Sequence, residues 1–350
     1  MISVIEIDGE QVGRRPLCSA SVKFQAIRLA ADLDPGWASF DSGDHTVTEA
    51  AARQASIACF DQMDPQETGA DGTKTWITRG GNFVVAVSRV RPGSVLERAD
   101  NADEYMVILP PGTKATIAAG SETIEAGEDS LTIVPPGPSK ITAQSEGLIA
   151  RIISSKAQDL IDKSWNAATY ADGAPEVAPI VYWPDPVDGF KLRHYPLAPY
   201  ADPNGERIQP RLFRSTNMMV NLFAHYRTRR DTAALSPHWH EDFEQASLTL
   251  HGTWIHHLRW PWNANLAEWR PDNHDPIPTP SVIIIPANVV HTSRDSGEGE
   301  SSLYDIFCPP RMDFASKPGF VLNEKDYPMP DTDGSKVLTK GTLLSWQKSA

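Results

Sequence analysis

Two histidines and a glutamate of this chain share one parity of numbering. His238, His240 and Glu244 all have even numbers, and alternate residues of an extended strand point to the same face. Two imidazoles and a carboxylate can therefore enter one cavity if the segment is mostly extended. A third imidazole, His291, follows an apolar strand predicted at residues 282–285. Three imidazoles and a carboxylate form a ligand set that suits iron, manganese, nickel, zinc or copper.

The elements that must position these residues are short strands. Apolar runs at residues 82–90, 104–109, 115–118 and 130–134 are separated by proline- and glycine-rich turns, which is typical of a sandwich or barrel. Proline accounts for 29 of the 350 residues, and it breaks helices and suits turns and strand edges. Strands are predicted again from residue 211 to about 307.

The two strand-rich regions resemble each other, which indicates a duplicated domain. Corresponding positions are Arg79 and Arg214, Asn82 and Asn217, and Glu104 and Glu244. The spacing between the copies grows only where loops can accept insertions, as expected for copies that diverged in their loops.

The first copy lacks the residue types that bind a metal ion. Counting back from Glu104 places Arg98 and Asp100 at the two histidine positions, and Lys140 replaces His291. Arginine and lysine are positively charged at neutral pH and repel a cation. We therefore expect no metal in the first copy. It is either a structural partner, or Arg98 and Lys140 bind an anion inside it.

Together with their turn residues, these motifs resemble the two metal motifs of the cupin superfamily. The first is HxHxxxE followed by Gly252, and the second is PxGxxH with Asn288 in place of the usual glycine. Asparagine tolerates the left-handed turn nearly as well. The resemblance covers roughly residues 75–150 and 210–310. It implies a bicupin, an all-β protein with two tandem antiparallel jelly-roll barrels and a few peripheral helices. It also implies metal ligation by His238, His240, Glu244 and His291.

This interpretation divides the chain into five segments. They are an N-terminal arm at residues 1–72, the first barrel at 73–153, a helix and proline-rich connection at 154–210, the second barrel at 211–310 and a polar tail at 311–350. A capping-box pair, Thr46 and Glu49, predicts a helix in the arm that Pro65 terminates. A second helix is predicted to start at Ser154 or Ser155.

Composition narrows the range of partners. The chain has 32 basic and 45 acidic residues and a net charge of −13, which argues against nucleic acid or an anionic membrane surface. Three cysteines without a CxxC pair argue against a disulfide framework or a cysteine-based zinc site. No secretory signal or apolar run of membrane-spanning length is evident. We expect a cytoplasmic protein that binds a small molecule and, at most, further copies of itself.

The residues after the first metal motif are candidates for substrate binding. Trp254 and Arg259 lie close to it in sequence, and an aromatic ring and a guanidinium suit a flat, anionic substrate. A surface hairpin whose tryptophans pack on the other barrel is an equally good interpretation.

Four protein ligands would leave two positions of a six-coordinate metal for water, substrate or O₂. The resemblance makes a non-heme Fe(II) dioxygenase that cleaves an aromatic or enolic carboxylated compound our first hypothesis, with Mn, Ni or Zn as other metals. A non-redox lyase, isomerase or decarboxylase remains open, as does a non-catalytic binding protein, because fold does not decide function.

Overall fold

The computed structural model describes residues 52–201, 210–225 and 227–330. Within them the protein has twenty β-strands and two short α-helices, and the strands pair in an antiparallel manner. Strand β1, Ser56–Cys59, comes first in the chain but belongs to the second barrel. No helix in the described part is both long and apolar enough to cross a membrane.

The first barrel consists of two facing sheets. Its strands are β2 Glu67–Thr68, β3 Lys74–Arg79, β4 Phe83–Val90, β5 Val95–Arg98, β6 Tyr105–Leu109, β7 Ala115–Ala119, β8 Glu122–Ala126, β9 Ser130–Val134, β10 Ser139–Ala143 and β11 Gly147–Ser154. Strand β12, Arg193–Pro196, joins from the connection between the barrels. The larger sheet has the order β12-β9-β6-β11-β4-β3-β2, and the smaller sheet has the order β5-β10-β7-β8.

The second barrel repeats this arrangement. Its strands are β13 Leu212–Arg214, β14 Met219–Leu222, β15 Gln245–His251, β16 Trp254–Arg259, β17 Pro276–Ile277, β18 Ser281–Ile285, β19 Val290–Asp295 and β20 Ser302–Phe307. The larger sheet has the order β1-β18-β15-β20-β14-β13, and the smaller sheet has the order β17-β16-β19. Apart from β2, which has no counterpart, the strands of the two large sheets follow the same order. The first edge strand of each sheet comes from outside the barrel's own run of strands: β12 follows the first barrel in the chain, and β1 precedes both barrels. This shared order confirms the duplication inferred from the sequence.

The principal core lies between the two large sheets. Every second residue of their strands enters one buried cluster that combines both barrels. Its members include Val85, Val87 and Ile152 from the first barrel and Val220, Ala246 and Ile306 from the second. Burial of an aliphatic side chain of this size contributes about 1.5–3 kcal/mol, so the shared face favours a single compact body.

A buried glutamate reinforces this contact between the barrels. Glu104, immediately before β6, accepts hydrogen bonds from the backbone N–H (3.1 Å) and the hydroxyl (3.0 Å) of Thr216 in the second barrel. Its other oxygen accepts a hydrogen bond from the hydroxyl of Tyr327 (2.8 Å). The carboxylate of Glu104 thus accepts hydrogen bonds from a turn of the second barrel and from the segment that follows that barrel.

The prediction of a helix in the N-terminal arm is wrong over the described residues. Residues 52–55 are irregular, β1 follows, and Phe60–Gln62 forms a single 3₁₀ turn. The residues that follow the alanine-rich stretch form a strand because β1 pairs with β18, which places Ala58 in the shared core. Tertiary pairing thereby overrides helix propensity. The predicted start at Thr46 lies outside the described residues.

The other two peripheral segments also differ from the expectation. The second helix, α1, spans Gln158–Lys163, begins later than predicted and is followed by a 3₁₀ turn at Ala167–Tyr170. The described part of the C-terminal tail is not simply polar. It contains α2, Met312–Ala315, and its apolar residues pack on the second barrel beside Phe243.

Candidate metal centre

Three histidines converge at one end of the second barrel. His238 and His291 exchange backbone hydrogen bonds, with N···O distances of 3.0 and 2.7 Å. His240 follows two residues later, so its ring reaches the same place. One ring nitrogen from each of the three lies within 4.8 Å of the other two. This spacing allows a single metal ion to contact all three imidazoles.

The hydrogen bonds of two of these rings fix their tautomers. Nδ1 of His238 lies 2.9 Å from the carbonyl oxygen of Ser236, and Nδ1 of His291 lies 2.9 Å from the carbonyl oxygen of Val289. A carbonyl only accepts, so each Nδ1 carries the hydrogen and each Nε2 keeps a lone pair for a metal. Nδ1 of His240 is buried without a hydrogen-bond partner among the described residues.

Burial also keeps these imidazoles neutral. Desolvation lowers the pKa of His238 and lowers the pKa of His240 and His291 well below the usual value. The positive charge of Arg311 acts in the same direction on all three rings. Metal ions bind the neutral form of imidazole, so the donor set fits a divalent cation.

The fourth polar group at this point is an amide. Oε1 of Gln245 lies 3.0 Å from Nε2 of His240 and 3.3 Å from Nε2 of His291. Sequence reasoning missed Gln245 because it chose the neighbouring glutamate. Gln245 is the first residue of β15 and its side chain is buried inside the barrel.

Glu244, predicted as a metal ligand, does not lie with the histidines, and this prediction is corrected. Its Oε2 accepts a hydrogen bond from the backbone N–H of Gly81 (2.6 Å), and its Oε1 accepts one from the hydroxyl of Tyr170 (2.9 Å). A Cβ atom at Gly80 would lie 2.9 Å from Oε2, so the close approach requires glycine there. Burial raises the pKa of Glu244, and the two hydrogen bonds oppose that rise.

The physical reason for the error is a break in the strand. Bends at Glu241 and Asp242 interrupt the extended backbone between the histidines and β15, so parity does not carry across. A comparison of the two copies could have corrected this error in the sequence-based prediction. Glu104 occupies the position of Glu244 in the copy without histidines, and it makes the equivalent contacts with the other barrel.

A chain of hydrogen bonds extends from the histidines into the barrel. Nε2 of Gln245 donates to Oγ of Ser247 (2.9 Å), and the Ser247 hydroxyl donates to Oδ1 of Asp305 (2.6 Å). Burial raises the pKa of Asp305 to about 6. Nearby, Nδ1 of His256 lies 2.7 Å from Oγ of Ser293, and burial lowers the pKa of His256 to about 4. The interior of the second barrel is therefore polar.

Aliphatic side chains fill much of the interior of the first barrel. Its buried cluster consists of aliphatic side chains with one tyrosine, Tyr105. In the second barrel, strands β16 and β19 pair His256 with Ser293. The corresponding strands of the first barrel, β7 and β10, pair Ile117 with Ile141. Metal-binding side chains thus converge in the second barrel.

The predicted equivalence of Lys140 with His291 is off by one residue. Arg98 pairs with Ser139, as His238 pairs with His291, so Ser139 takes the inward position. Lys140 is exposed, and its Nζ lies 3.3 Å from Glu97 on the outer face. Lys140 therefore does not enter the barrel.

Neither of the two residues predicted to bind substrate, Trp254 and Arg259, is available to a ligand inside the second barrel. Trp254 is completely buried against Leu303, and its Nε1 donates to the carbonyl oxygen of His251 (2.9 Å). Arg259 lies on the face of β16 opposite His256 and is largely exposed. Its Nε and Nη2 donate to Oδ2 of Asp272 at 2.9 and 2.6 Å. Trp254 thus packs within its own barrel, and not on the other barrel as the alternative interpretation expected.

Solved structures with a similar backbone include one whose name contains the word cupin. AerE from Microcystis aeruginosa is 9% identical, matching 74% of this chain and 99% of its own with a TM-score of 0.47. A cupin 2 conserved barrel domain protein from Leptotrichia buccalis is 9% identical, matching 75% and 99% with a TM-score of 0.42. A variant of Bacillus subtilis oxalate decarboxylase is 15% identical, matching 77% and 82% with a TM-score of 0.48.

No family model and no curated protein matches the chain. Because the structural similarities have TM-scores below 0.5, the class of fold rests on the strand order and register of the chain itself. These define two tandem antiparallel barrels of the jelly-roll type, with three histidines in the second that can hold a divalent metal.

Proposed function

We propose that the second barrel is the active site of a metal-dependent enzyme that acts on a small carboxylated or enolic compound. The observation that carries this proposal is the convergence of His238, His240 and His291, two of them with Nε2 fixed as the free donor. A polar barrel interior behind the three rings supports it further, because a purely structural barrel gains nothing from burying a carboxylate there.

The proposed ligands are the three histidines and the amide oxygen of Gln245. All four donors are neutral, so a divalent cation held by them keeps its full charge. That charge favours an anionic substrate group, such as a carboxylate or an enolate, at the remaining positions. When bound, the metal supplies Lewis acidity and adjacent exchangeable positions. Imidazole donors suit Fe(II), our first choice, as well as Mn, Ni and Zn.

The first candidate reaction is oxidative cleavage by a non-heme Fe(II) dioxygenase, which needs positions for both substrate and O₂. In this reaction the protein's own residues bind and orient the substrate, and the buried rings of Phe243 and Phe307 beside His240 limit access of water.

A second candidate, a non-redox lyase, isomerase or decarboxylase, is favoured by Asp305. This carboxylate lies inside the barrel, two hydrogen bonds from the amide of Gln245, where it can take up or release a proton.

Metal content tests the site before any activity is known. Protein made without a histidine tag should contain one divalent metal per chain, and the double variant His240→Ala with His291→Ala should contain none. The matched control is His194→Ala, which removes an imidazole hydrogen-bonded to Thr132 in the first barrel. Full metal content in the double variant, or two metals in the wild type, would contradict the proposal.

Oxygen uptake then separates the reaction classes. The iron-loaded protein is offered catechols, hydroxybenzoates, enolic acids and diketones in an oxygen electrode, and the same compounds are tested anaerobically with Mn, Ni or Zn. O₂ consumption matched to substrate loss supports the dioxygenase. Turnover without O₂ that is lost in Asp305→Asn supports the second candidate. Binding without turnover under both conditions would indicate a non-catalytic protein.

A further inference from the structure

The interior of the first barrel contains a buried cation without a partner. Arg151 is 4% exposed, and its side chain forms no hydrogen bond or ion pair with any residue in the described part of the chain. Its Nε has neither a partner nor contact with solvent. An isolated buried charge is costly, so guanidinium groups in protein interiors are normally paired with an anion.

The position of Arg151 in the strand directs it into the barrel. It lies on β11 between Ile149 and Ile153, which point the same way and belong to the interior cluster of the first barrel. It pairs with Val107 on β6, as Asp305 pairs with Ser247 in the second barrel. The duplicated fold thus places a cation in one barrel where the other has a carboxylate.

Two hydroxyl groups and a second guanidinium surround the same space. The Tyr105 and Ser139 hydroxyls are 2.9 Å apart, so one of their two hydrogens joins them and the other is free for an acceptor. Tyr105 lies two residues before Val107 on β6, so its side chain points to the same face as Val107, the residue that pairs with Arg151.

The two carboxylates that interact electrostatically with Arg151, those of Asp159 and Glu67, are already paired with other cations. Asp159 binds Arg98 through two hydrogen bonds of 2.5 and 3.0 Å, and Glu67 binds Lys163 at 2.7 Å. The Nε of Arg98 is nevertheless buried without a partner among the described residues. Two guanidiniums therefore face one carboxylate, and the local charge is not balanced by the protein.

A cleft on the first barrel lies beside two of these polar groups, Arg98 and Ser139. The cleft, of about 520 Å³, is lined by Arg98 and Ser139, by the ion pair of Glu97 and Lys140, and by small residues such as Ala118 and Gly120. Ser139 connects the cleft to Tyr105 through their hydrogen bond. A small solute can thus approach the polar groups from outside.

We propose that the first barrel binds a small oxyanion, a carboxylate or a tetrahedral anion such as phosphate. Arg151 provides the charge, and the free hydroxyl hydrogen of the Tyr105–Ser139 pair provides a further donor. Arg98 attracts the anion at the cleft. This site is independent of the histidines, and it replaces the expectation that Lys140 would bind an anion.

Anion titration tests the proposal. Wild-type protein, dialysed into low-salt buffer free of small oxyanions, is titrated with acetate, phosphate and selenate while its melting temperature and heat of binding are recorded. We expect saturable stabilisation by at least one of these. Arg151→Met should weaken the binding at least tenfold, since it removes a charge-assisted hydrogen bond. A response to acetate alone identifies a carboxylate, and a response to phosphate and selenate identifies a tetrahedral anion.

The matched control is Lys114→Met, which removes an exposed cation of the same barrel that does not line the cleft and should leave the binding unchanged. If Arg151→Met fails to fold, Tyr105→Phe tests the hydroxyl and should weaken binding severalfold. Crystals soaked in selenate should show an anomalous selenium peak beside Arg151. The proposal is overturned if none of the three anions stabilises the wild type, or if Arg151→Met and Lys114→Met respond alike.

Discussion

Replacing Glu244 by glutamine distinguishes its two possible roles. The predicted role was metal ligation, whereas the structure shows a carboxylate that joins the barrels by accepting hydrogen bonds from Gly81 and Tyr170. Two arginines, Arg53 and Arg79, lie over the Tyr170 ring at 4.4 and 4.5 Å. We expect Glu244→Gln to destabilise the fold and to keep the metal.

The magnitude follows from the hydrogen bonds that are lost. A glutamine side chain keeps one acceptor oxygen, but its NH₂ group cannot accept, so either the Gly81 N–H or the Tyr170 hydroxyl loses its partner. An unsatisfied buried donor costs about 1–3 kcal/mol. The loss of negative charge beside the two arginines adds to this cost. We expect a decrease of about 2 kcal/mol in the free energy of unfolding, which lowers the melting temperature by several degrees.

The duplicated fold provides a matched control. Glu104→Gln removes the same charge from the equivalent contact with Thr216 and Tyr327, so it should destabilise the protein by a similar amount. Both variants should bind one metal per chain. Gln245→Leu should do the opposite and weaken metal binding at least tenfold, because it removes a proposed ligand. Melting curves and metal analysis are measured on the same samples.

One result would refute this reasoning. If Glu244→Gln loses the metal while Glu104→Gln keeps it, Glu244 is a ligand and its contacts with Gly81 and Tyr170 do not describe the metal-bound protein. Equal loss of metal in both glutamate variants would instead show that the site depends on the contact between the barrels.

Three further predictions concern titration and the outer face. Because burial holds the pKa of His240 and His291 well below 6.5, bound metal should be retained at pH 6 and released only in more acidic buffer, and half release at pH 6.5 or above in a chelator competition would contradict this. His256, with a pKa of about 4 when folded and 6.5 when unfolded, takes up its proton only on unfolding between these values. The contribution of His256 to the free energy of unfolding should therefore fall by about 3 kcal/mol from pH 6.5 to 4, and His256→Gln should lack this contribution when its stability is compared with the wild type at each pH. Arg259→Ala should leave KM unchanged for every accepted substrate, since the guanidinium of Arg259 is bound to Asp272 outside the barrel. A tenfold rise in KM would show instead that Arg259 binds substrate.

Local sequence patterns predicted the strands and the turns well. The strand predicted at residues 82–90 is Phe83–Val90, and that at residues 130–134 is Ser130–Val134, because valine-rich runs between glycine and proline turns have few alternatives. The turn residue Asn288 has a φ of 63°, as expected for a position that usually holds glycine. These features depend on residues that are close together in the chain.

The errors arose where a distant contact or a local irregularity decides the structure. Strand β1 depends on pairing with residues more than two hundred positions later, which no local pattern can reveal. Glu244 was predicted in place of Gln245 because two bends interrupt the strand before β15. Lys140 was predicted in place of Ser139 because the copies are shifted by one residue relative to each other. Because neighbouring strand residues face opposite sides, each such shift changes a residue's environment completely.

The duplication itself separates the residues that hold the fold together from those that carry chemistry. A residue needed by both barrels must serve a task that both share, and Glu104 and Glu244 share the contact between the barrels. Residues at the mouth and interior differ instead: Tyr105 occupies the first position of β6, where β15 has Gln245, and Arg151 occupies the position of Asp305. Equal backbones with opposite buried charges favour ligands of opposite sign, a metal cation in the second barrel and an oxyanion in the first.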